Sequence, residues 1–223
     1  MAKSTIKFLK IRDVQIPNRG HKLDAGIDFF VPKFDKVFVS DLIKKNPDLK
    51  SEKSNGNGCY LVASVTGQLT IGSPSSAQSL DFDLSDHNNT IVKYDESEGK
   101  NYFLLSPLSR VNIPSGIYCQ MQEEGRALIA ANKSGVASKQ GLIFGAQVVD
   151  YEYQGEIHIN VINTSSKVVR IYEGQKLIQF LETPIFTSEI EEVDTLQNLY
   201  KGETSRADGG FGSTDKKPEQ LNS

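Results

Sequence analysis

The sequence predicts an all-β protein, and three observations carry that reading. Short runs of β-branched and aromatic residues recur along the 223 residues, each closed by Gly, Pro, Asn or Asp. The segment Glu156-Ile-His-Ile-Asn-Val-Ile-Asn163 alternates so that Ile157, Ile159 and Val161 share one face. Helical periodicity is scarce, and only 40–46 suggests a turn or two of helix. Short strands at regular spacing with turn residues between them indicate a sandwich or a barrel.

In chain order, strands are expected at 6–11, 27–31 (closed by Pro32), 60–65, 90–94 (closed by Asp95) and 102–105 (closed by Pro107). The series continues at 117–121, 127–131, 157–162, 168–172 (closed by Gly174) and 177–181. Residues 1–34 and 102–188 are strand-dense, whereas 35–101 opens into a polar passage and a Gly/Ser/Pro break at 72–76. A structureless loop of that length is abnormal in a compact domain, so part of 35–101 is expected to fold as a small β excursion. The tail 194–223 has few apolar anchors. This gives one β domain over 1–193, interrupted at about 35–101, followed by a C-terminal arm over 194–223.

Composition excludes several function classes. Lys plus Arg total 25 against 28 Asp plus Glu, a net charge of −3, which argues against a basic nucleic-acid coat or an acidic disordered tail. With 38% hydrophobic and 24% charged residues the chain can build a core. No apolar run approaches the roughly 20 residues of a membrane helix, and the start Met1-Ala-Lys-Ser-Thr-Ile-Lys-Phe8 lacks the apolar stretch of a secretory signal. Two cysteines are too few for a disulfide scaffold or a cysteine-rich zinc site, which fits a reducing cytosol. The histidines His21, His87 and His158 are scattered, so histidine-cluster chemistry is not expected.

Five segments hold the residues suited to chemistry. In Asp24-Ala-Gly-Ile-Asp28, Gly26 permits a tight turn and Asp28 can face inward, although a plain strand entry looks the same. In Asn132-Lys-Ser-Gly-Val-Ala-Ser-Lys139, Lys133 supplies charge, Ser134 a hydroxyl and Gly135 an unobstructed N–H at the head of a possible helical turn, a grouping that suits an oxyanion. Gly145-Ala-Gln-Val-Val-Asp150-Tyr-Glu-Tyr153-Gln-Gly155-Glu reads as a hairpin. It carries either a solvated Asp150 and a packed Tyr153, or a carboxylate beside an aromatic wall. Glu173-Gly-Gln-Lys-Leu-Ile-Gln179-Phe180 is a turn into a strand. Arg206-Ala-Asp-Gly-Gly-Phe211-Gly-Ser-Thr214 places one aromatic among glycines, with an arginine and hydroxyls beside it, as a nucleotide-gripping arm would.

In this order the five segments resemble the motifs of the trimeric dUTP pyrophosphatase (dUTPase) family, approximately Ala-Gly-x-Asp, Arg-Ser-Gly/Ser, Gly-x-Ile-Asp-x-Asp-Tyr-Arg/Gln-Gly, Gly-Asp/Glu-Arg-Ile-Ala-Gln and Arg-Gly-x-x-Gly-Phe-Gly-Ser-Thr-Gly. The resemblance covers 1–34 and 102–215. It implies a jelly-roll-like β-barrel, a homotrimer with shared active sites, and hydrolysis of dUTP to dUMP and pyrophosphate, which keeps uracil out of DNA and supplies dUMP for thymidylate synthesis.

By the same resemblance Asp150 would activate the water that attacks the α-phosphorus. The backbone from Phe144 through Val148 and Val149 to Asp150 would read the uracil edge. Tyr153 would lie under the deoxyribose and deny space to a ribose 2′-OH, with His158 near the base. Lys133, Ser134, Gly135 and Gln179 would contact phosphates. Arg206 would grip the γ-phosphate, Phe211 would stack on uracil, and Gly212, Ser213 and Thr214 would close on the phosphates. Mg²⁺ would sit mainly on the triphosphate, with Asp28 touching one of its waters.

Several residues depart from the motifs. Lys133 stands for the usual Arg, which trades a bidentate fork for a point charge. Lys176 and Ile178 stand for Arg and Ala, Glu152 for a frequent Asp, Gln147 for a common Gly, and Ala207 and Asp215 for glycines of the arm. The insertion and the lysine substitutions hint at a phage-like origin without fixing a cellular or viral source, and the expected location is cytoplasmic, the host cytoplasm if phage-encoded. Two rival functions remain open. One is a dCTP deaminase or bifunctional deaminase-hydrolase, against which Asn160 stands where those enzymes place a catalytic glutamate. The other is a regulatory dUTPase-like protein that uses 35–101 to contact a protein partner. Neither membrane nor direct nucleic-acid binding is expected.

Overall fold

The computed structural model describes residues 4–46 and 91–204. The chain divides into two units, Met1–Phe186 and Thr187–Ser223. In the first, twelve strands and two helices are present among the described residues. The strands are β1 (Ile6–Lys10), β2 (Gly26–Phe30), β3 (Lys93–Asp95), β4 (Lys100–Leu105), β5 (Arg110–Pro114), β6 (Ile117–Met121), β7 (Arg126–Asn132), β8 (Leu142–Phe144), β9 (Val148–Val149), β10 (His158–Asn163), β11 (Val169–Tyr172) and β12 (Lys176–Pro184). The helices are α1 (Lys36–Lys45) and α2 (Ser134–Gln140). The second unit contributes the single turn α3 (Leu196–Leu199), capped by the Thr195 hydroxyl, which accepts the Asn198 N–H. Among the described residues no helix is long and apolar enough to cross a membrane.

All pairings are antiparallel, in the orders β1-β6, β5-β10-β8, β11-β4-β3 and β2-β12-β7-β9. This is an all-β, jelly-roll arrangement. The four-stranded sheet matters most for function. Its strand β2 is buried at every position, and Phe29 packs on Phe180 of β12 with ring centroids 4.7 Å apart. The expected alternation in β10 holds, with Ile159 and Val161 in the core and Ile157 buried just before the strand.

Within 35–101, α1 is part of the core. Asp35 caps it by accepting the Phe38 N–H at 2.8 Å. Phe38, Val39 and Leu42 are buried on its inner face, and Phe38 stacks on Phe34 at 5.0 Å. Asn46 then fastens its end to β5, since its side chain both accepts from Asn112 N and donates to Asn112 O. The helix therefore starts four residues before the stretch expected from periodicity, at the aspartate cap. Further on, β3 pairs with β4. The strand expected at 60–65 lies outside the described residues, as does Thr90.

Candidate active site

Asp28 organises one end of the four-stranded sheet. It lies opposite Gln179, and Gln179 lies opposite Ala131, so β2, β12 and β7 meet at one register level. A register shift between Lys176 and Ile178 lets β12 turn Lys176 toward Asp28 while Leu177 and Ile178 both stay buried. The carboxylate is 4% exposed, and each of its oxygens meets an ammonium: Lys133 Nζ at 2.5 Å and Lys176 Nζ at 2.8 Å. Burial alone would raise the Asp28 carboxyl, but the hydrogen bonds from Lys133 and Lys176 outweigh it and hold it below its ordinary value. Beside this cluster Gln179 Nε2 donates to Asn132 O at 3.0 Å. The Gln179 side chain fills the space a Cβ on Gly26 would need, with Oε1 2.0 Å from that position, which is why the first segment carries glycine there.

Lys133 is the N-cap residue of α2, and Ser134 and Gly135 form its exposed first turn. Nothing lies within 4 Å of a Cβ built on Gly135, so space for an approaching group is open there. Two part-exposed ammonium groups, a hydroxyl and first-turn amides thus stand together, an arrangement that attracts a polyanion.

As a metal ligand Asp28 does not fit. Both of its oxygens are already held by ammonium groups, and no group of three His, Cys, Asp or Glu side chains that could hold a metal occurs among the described residues. The expected contact of Asp28 with a magnesium-bound water would be made on oxygens that already accept from Lys133 and Lys176. Magnesium carried on a triphosphate asks for no such protein ligand.

The hairpin lies at the other side of the sheet. β9 is its edge strand, pairing Val149 with Leu128 and Val148 with Ile129 of β7. Ala130 N donates to Gln147 O at 2.7 Å. In an antiparallel ladder, bonded and non-bonded pairs alternate, so the N–H and C=O of Val148 point away from β7 to the open edge. The Val148 side chain is 59% exposed. Asp150 follows, exposed, and opens a turn closed by Tyr153 N donating to Asp150 O at 3.2 Å. The Tyr153 ring lies directly on Gly155, where a Cβ would meet the phenol oxygen at 2.4 Å, and its hydroxyl donates to Glu156 O at 2.8 Å.

Two of the residues expected near the base have partners within the chain. Phe144 is a core residue whose N–H is engaged by Asn132 Oδ1 at 3.2 Å, and Gly145 N donates to Asn160 O at 3.0 Å. The free backbone edge therefore begins beyond them, at Val148. His158 opens β10 opposite Pro114, in a different sheet from β9. Its Nδ1 bonds Glu156 O at 2.8 Å while Nε2 is buried without a partner, and burial lowers its pKa.

From the registers, Asp28 and Asp150 are three strands and four residues apart on one sheet, about 20 Å. One chain does not bring the lysine cluster around Asp28 and the hairpin together. Arg206, Phe211, Gly212, Ser213 and Thr214 lie outside the described residues. Two residues missed in the sequence stand out. Lys176 is the second cation on Asp28, signalled only by its place where the motif has Arg. Asn132 bridges Gln179 and the Phe144 amide, with no sequence signal beyond its position before Lys133.

The dUTPase family model matches residues 68–215. The chain is 34% identical over 142 residues to the deoxyuridine 5'-triphosphate nucleotidohydrolase of Finegoldia magna, covering 59% of this chain and 95% of that protein. To the Hydrogenobaculum enzyme of the same name it is 35% identical over 116 residues, 51% of this chain and 76% of that one. Among solved structures, a mutant dUTPase of Staphylococcus bacteriophage 80alpha with dUpNHpp superposes with a TM-score of 0.56 at 17% identity, covering 94% of this chain and 98% of that one. The dUTPase from phage phi11 of S. aureus gives 0.51 at 17% identity over 86% and 98%. The family match begins after Asp28, and the register of Asp28 with Gln179 ties the first segment to the matched region. This chain belongs to the dUTPase family.

Proposed function

We propose that this dUTP diphosphatase works by attack of water on the α-phosphorus of dUTP, with Asp150 as the general base. The observation that carries the reading is the open edge of β9 with Asp150 directly after it. An N–H and a C=O on one residue, Val148, match the acceptor oxygen and the N3–H of uracil. Cytosine reverses that pattern and leaves buried groups unpaired, at about 1–3 kcal/mol or more. Asp150 takes the proton of the water, the hydroxide forms the new bond to phosphorus, and the bond to the bridging oxygen breaks to release pyrophosphate. A positioned base contributes typically about 10²–10⁴-fold. Lys133, Ser134, Gly135, Gln179 and Lys176 would hold the phosphates and the charge that grows on the leaving oxygen. Magnesium supplies charge neutralisation on the phosphate oxygens when bound.

Because the two ends of the site are about 20 Å apart on one chain, a complete site would use the hairpin of one subunit and the phosphate end of another, as in a homotrimer. Pyrophosphate release from dUTP, dCTP, dTTP and UTP with magnesium tests the reading, together with Asp150→Asn. That variant should lose at least about a hundredfold in kcat while still binding dUpNHpp. Unchanged hydrolysis by it overturns the assignment of the base, and ammonia release from dCTP overturns the reaction.

A further inference from the structure

Three parts of the first unit converge on Glu156. Its carboxylate takes two parallel hydrogen bonds from Arg12, Nε to Oε1 at 2.9 Å and Nη2 to Oε2 at 3.0 Å. Oε1 also accepts the amide of Gly116 at 2.7 Å. Arg12 Nη2 reaches on to Asp41 Oδ2 of α1 at 2.7 Å. The carbonyl of Glu156 accepts the Tyr153 hydroxyl and bonds His158 Nδ1, both at 2.8 Å. The Arg12 side chain is 8% exposed and that of Glu156 12%, so this is a desolvated, forked pair and not a screened surface contact. Of these groups only Tyr153 and His158 have been given a place at the substrate, by the motif resemblance.

We propose that Arg12, Glu156 and Asp41 are positioning residues for Tyr153, holding its ring at the height that admits a 2′-deoxyribose and refuses a ribose. The proposal rests on the reading of Tyr153 as the ring under the sugar. The ring has two supports, the bare backbone of Gly155 beneath it and the Glu156 carbonyl at its hydroxyl. Both belong to the stretch between the turn after β9 and the start of β10, at whose end Ile157 donates its N–H to Ile117 O at 2.9 Å and accepts the Ser115 N–H at 3.0 Å. Ahead of Ile157 the stretch is held by the forked Glu156 carboxylate, which through Arg12 reaches a helix whose inner face lies in the core. Discrimination against one hydroxyl group depends on the ring staying in place, and a displacement of about 1 Å at such a group is worth on the order of a hundredfold.

The test compares kcat/KM for dUTP and for UTP, with thermal melting, in the unaltered protein and in Glu156→Gln, Arg12→Lys, Asp41→Asn and Tyr153→Ala. Glu156→Gln and Arg12→Lys should each lower the dUTP/UTP ratio at least about tenfold. Asp41→Asn, which leaves the fork intact, should lower it by about threefold. A role confined to stability would lower the melting temperature and scale both substrates alike, and a wild-type ratio in Arg12→Lys and Asp41→Asn overturns the proposal even if Glu156→Gln does not fold. Tyr153→Ala separates the two layers. If it collapses the ratio while the other variants keep it, only the positioning role fails; if it keeps the ratio, the sugar-facing reading of Tyr153 fails as well.

Discussion

Asp28 on β2 and Lys133 at the head of α2, 105 residues apart in the chain, form an ion pair whose carboxylate is shared with Lys176. The acid is buried, while the two lysine side chains are 24% and 40% exposed. The carboxylate therefore holds two cations at the surface at a spacing fixed by the sheet. Arg in either place would bring a fork; two lysines held on one acid offer two point charges instead.

Replacing that acid separates its structural from its electrostatic role. Asp28→Asn leaves two ammonium groups facing each other with one neutral acceptor between them. A stability loss of about 1–3 kcal/mol at pH 7 is expected in urea denaturation, since these are charge-assisted hydrogen bonds to partly exposed lysines. The pH dependence has a definite sign. The Asp28 carboxyl is depressed in the fold, so its contribution is complete above the unfolded value of 3.8 and is lost as pH falls below it. The variant should show a flatter acid limb than the wild type.

A second variant tests the phosphate end without touching a charge. In Gly26→Ala the new methyl would sit 2.0 Å from Gln179 Oε1 and 3.0 Å from Gln179 Cβ, so the Gln179 side chain has to leave its place. Under the proposed role of Gln179 as a phosphate contact, loss of that hydrogen bond lowers kcat/KM for dUTP by roughly 10–100-fold. Gln179→Ala should give the same loss, and the double variant should lose no more than either single one.

The turn between β4 and β5 holds an avoidable strain. Leu108 has φ of 56° and is 69% exposed, the only positive-φ residue other than glycine among the described residues. The left-handed conformation costs a side-chain-bearing residue roughly 1–2 kcal/mol, whereas glycine adds back about 0.5–1 kcal/mol of unfolded-state entropy. Little apolar burial is lost with so exposed a side chain. Leu108→Gly should raise the melting temperature, with a net gain of about 0.5–1 kcal/mol; a drop in calorimetry would show that Leu108 makes a contact worth more than its strain.

What could be read in the sequence, and what could not, follows from the range of the interactions involved. β1, β2, β7, β10 and β12 each announce themselves by apolar runs bounded by turn residues, and the segments around Gly26, Lys133, Asp150 and Gln179 mark themselves by residue type. β5 was missed although Val111 and Ile113 are fully buried, because Arg-Val-Asn-Ile-Pro is short, half polar and ends in proline. β8 and β9 are only three and two residues long, below what periodicity can detect. The start of α1 was hidden by Phe and Val near a cap whose aspartate signal is short. Lys176 and Glu156 were legible only as isolated charges. Their partners lie on distant strands or loops, 144 residues away in the case of Arg12 and Glu156, and pairings of that kind are set by tertiary packing.

Under the proposed shared site, the distance between Asp28 and Asp150 along one sheet has a genetic consequence. When a complete site borrows its halves from different copies, two chains that are each inactive can restore one another: a mixture in which some copies lack the Asp150 carboxylate and others lack the Lys133–Ser134 pair would regenerate working sites on co-assembly. By the same logic, a single damaged allele in a mixed population would poison sites it does not wholly own.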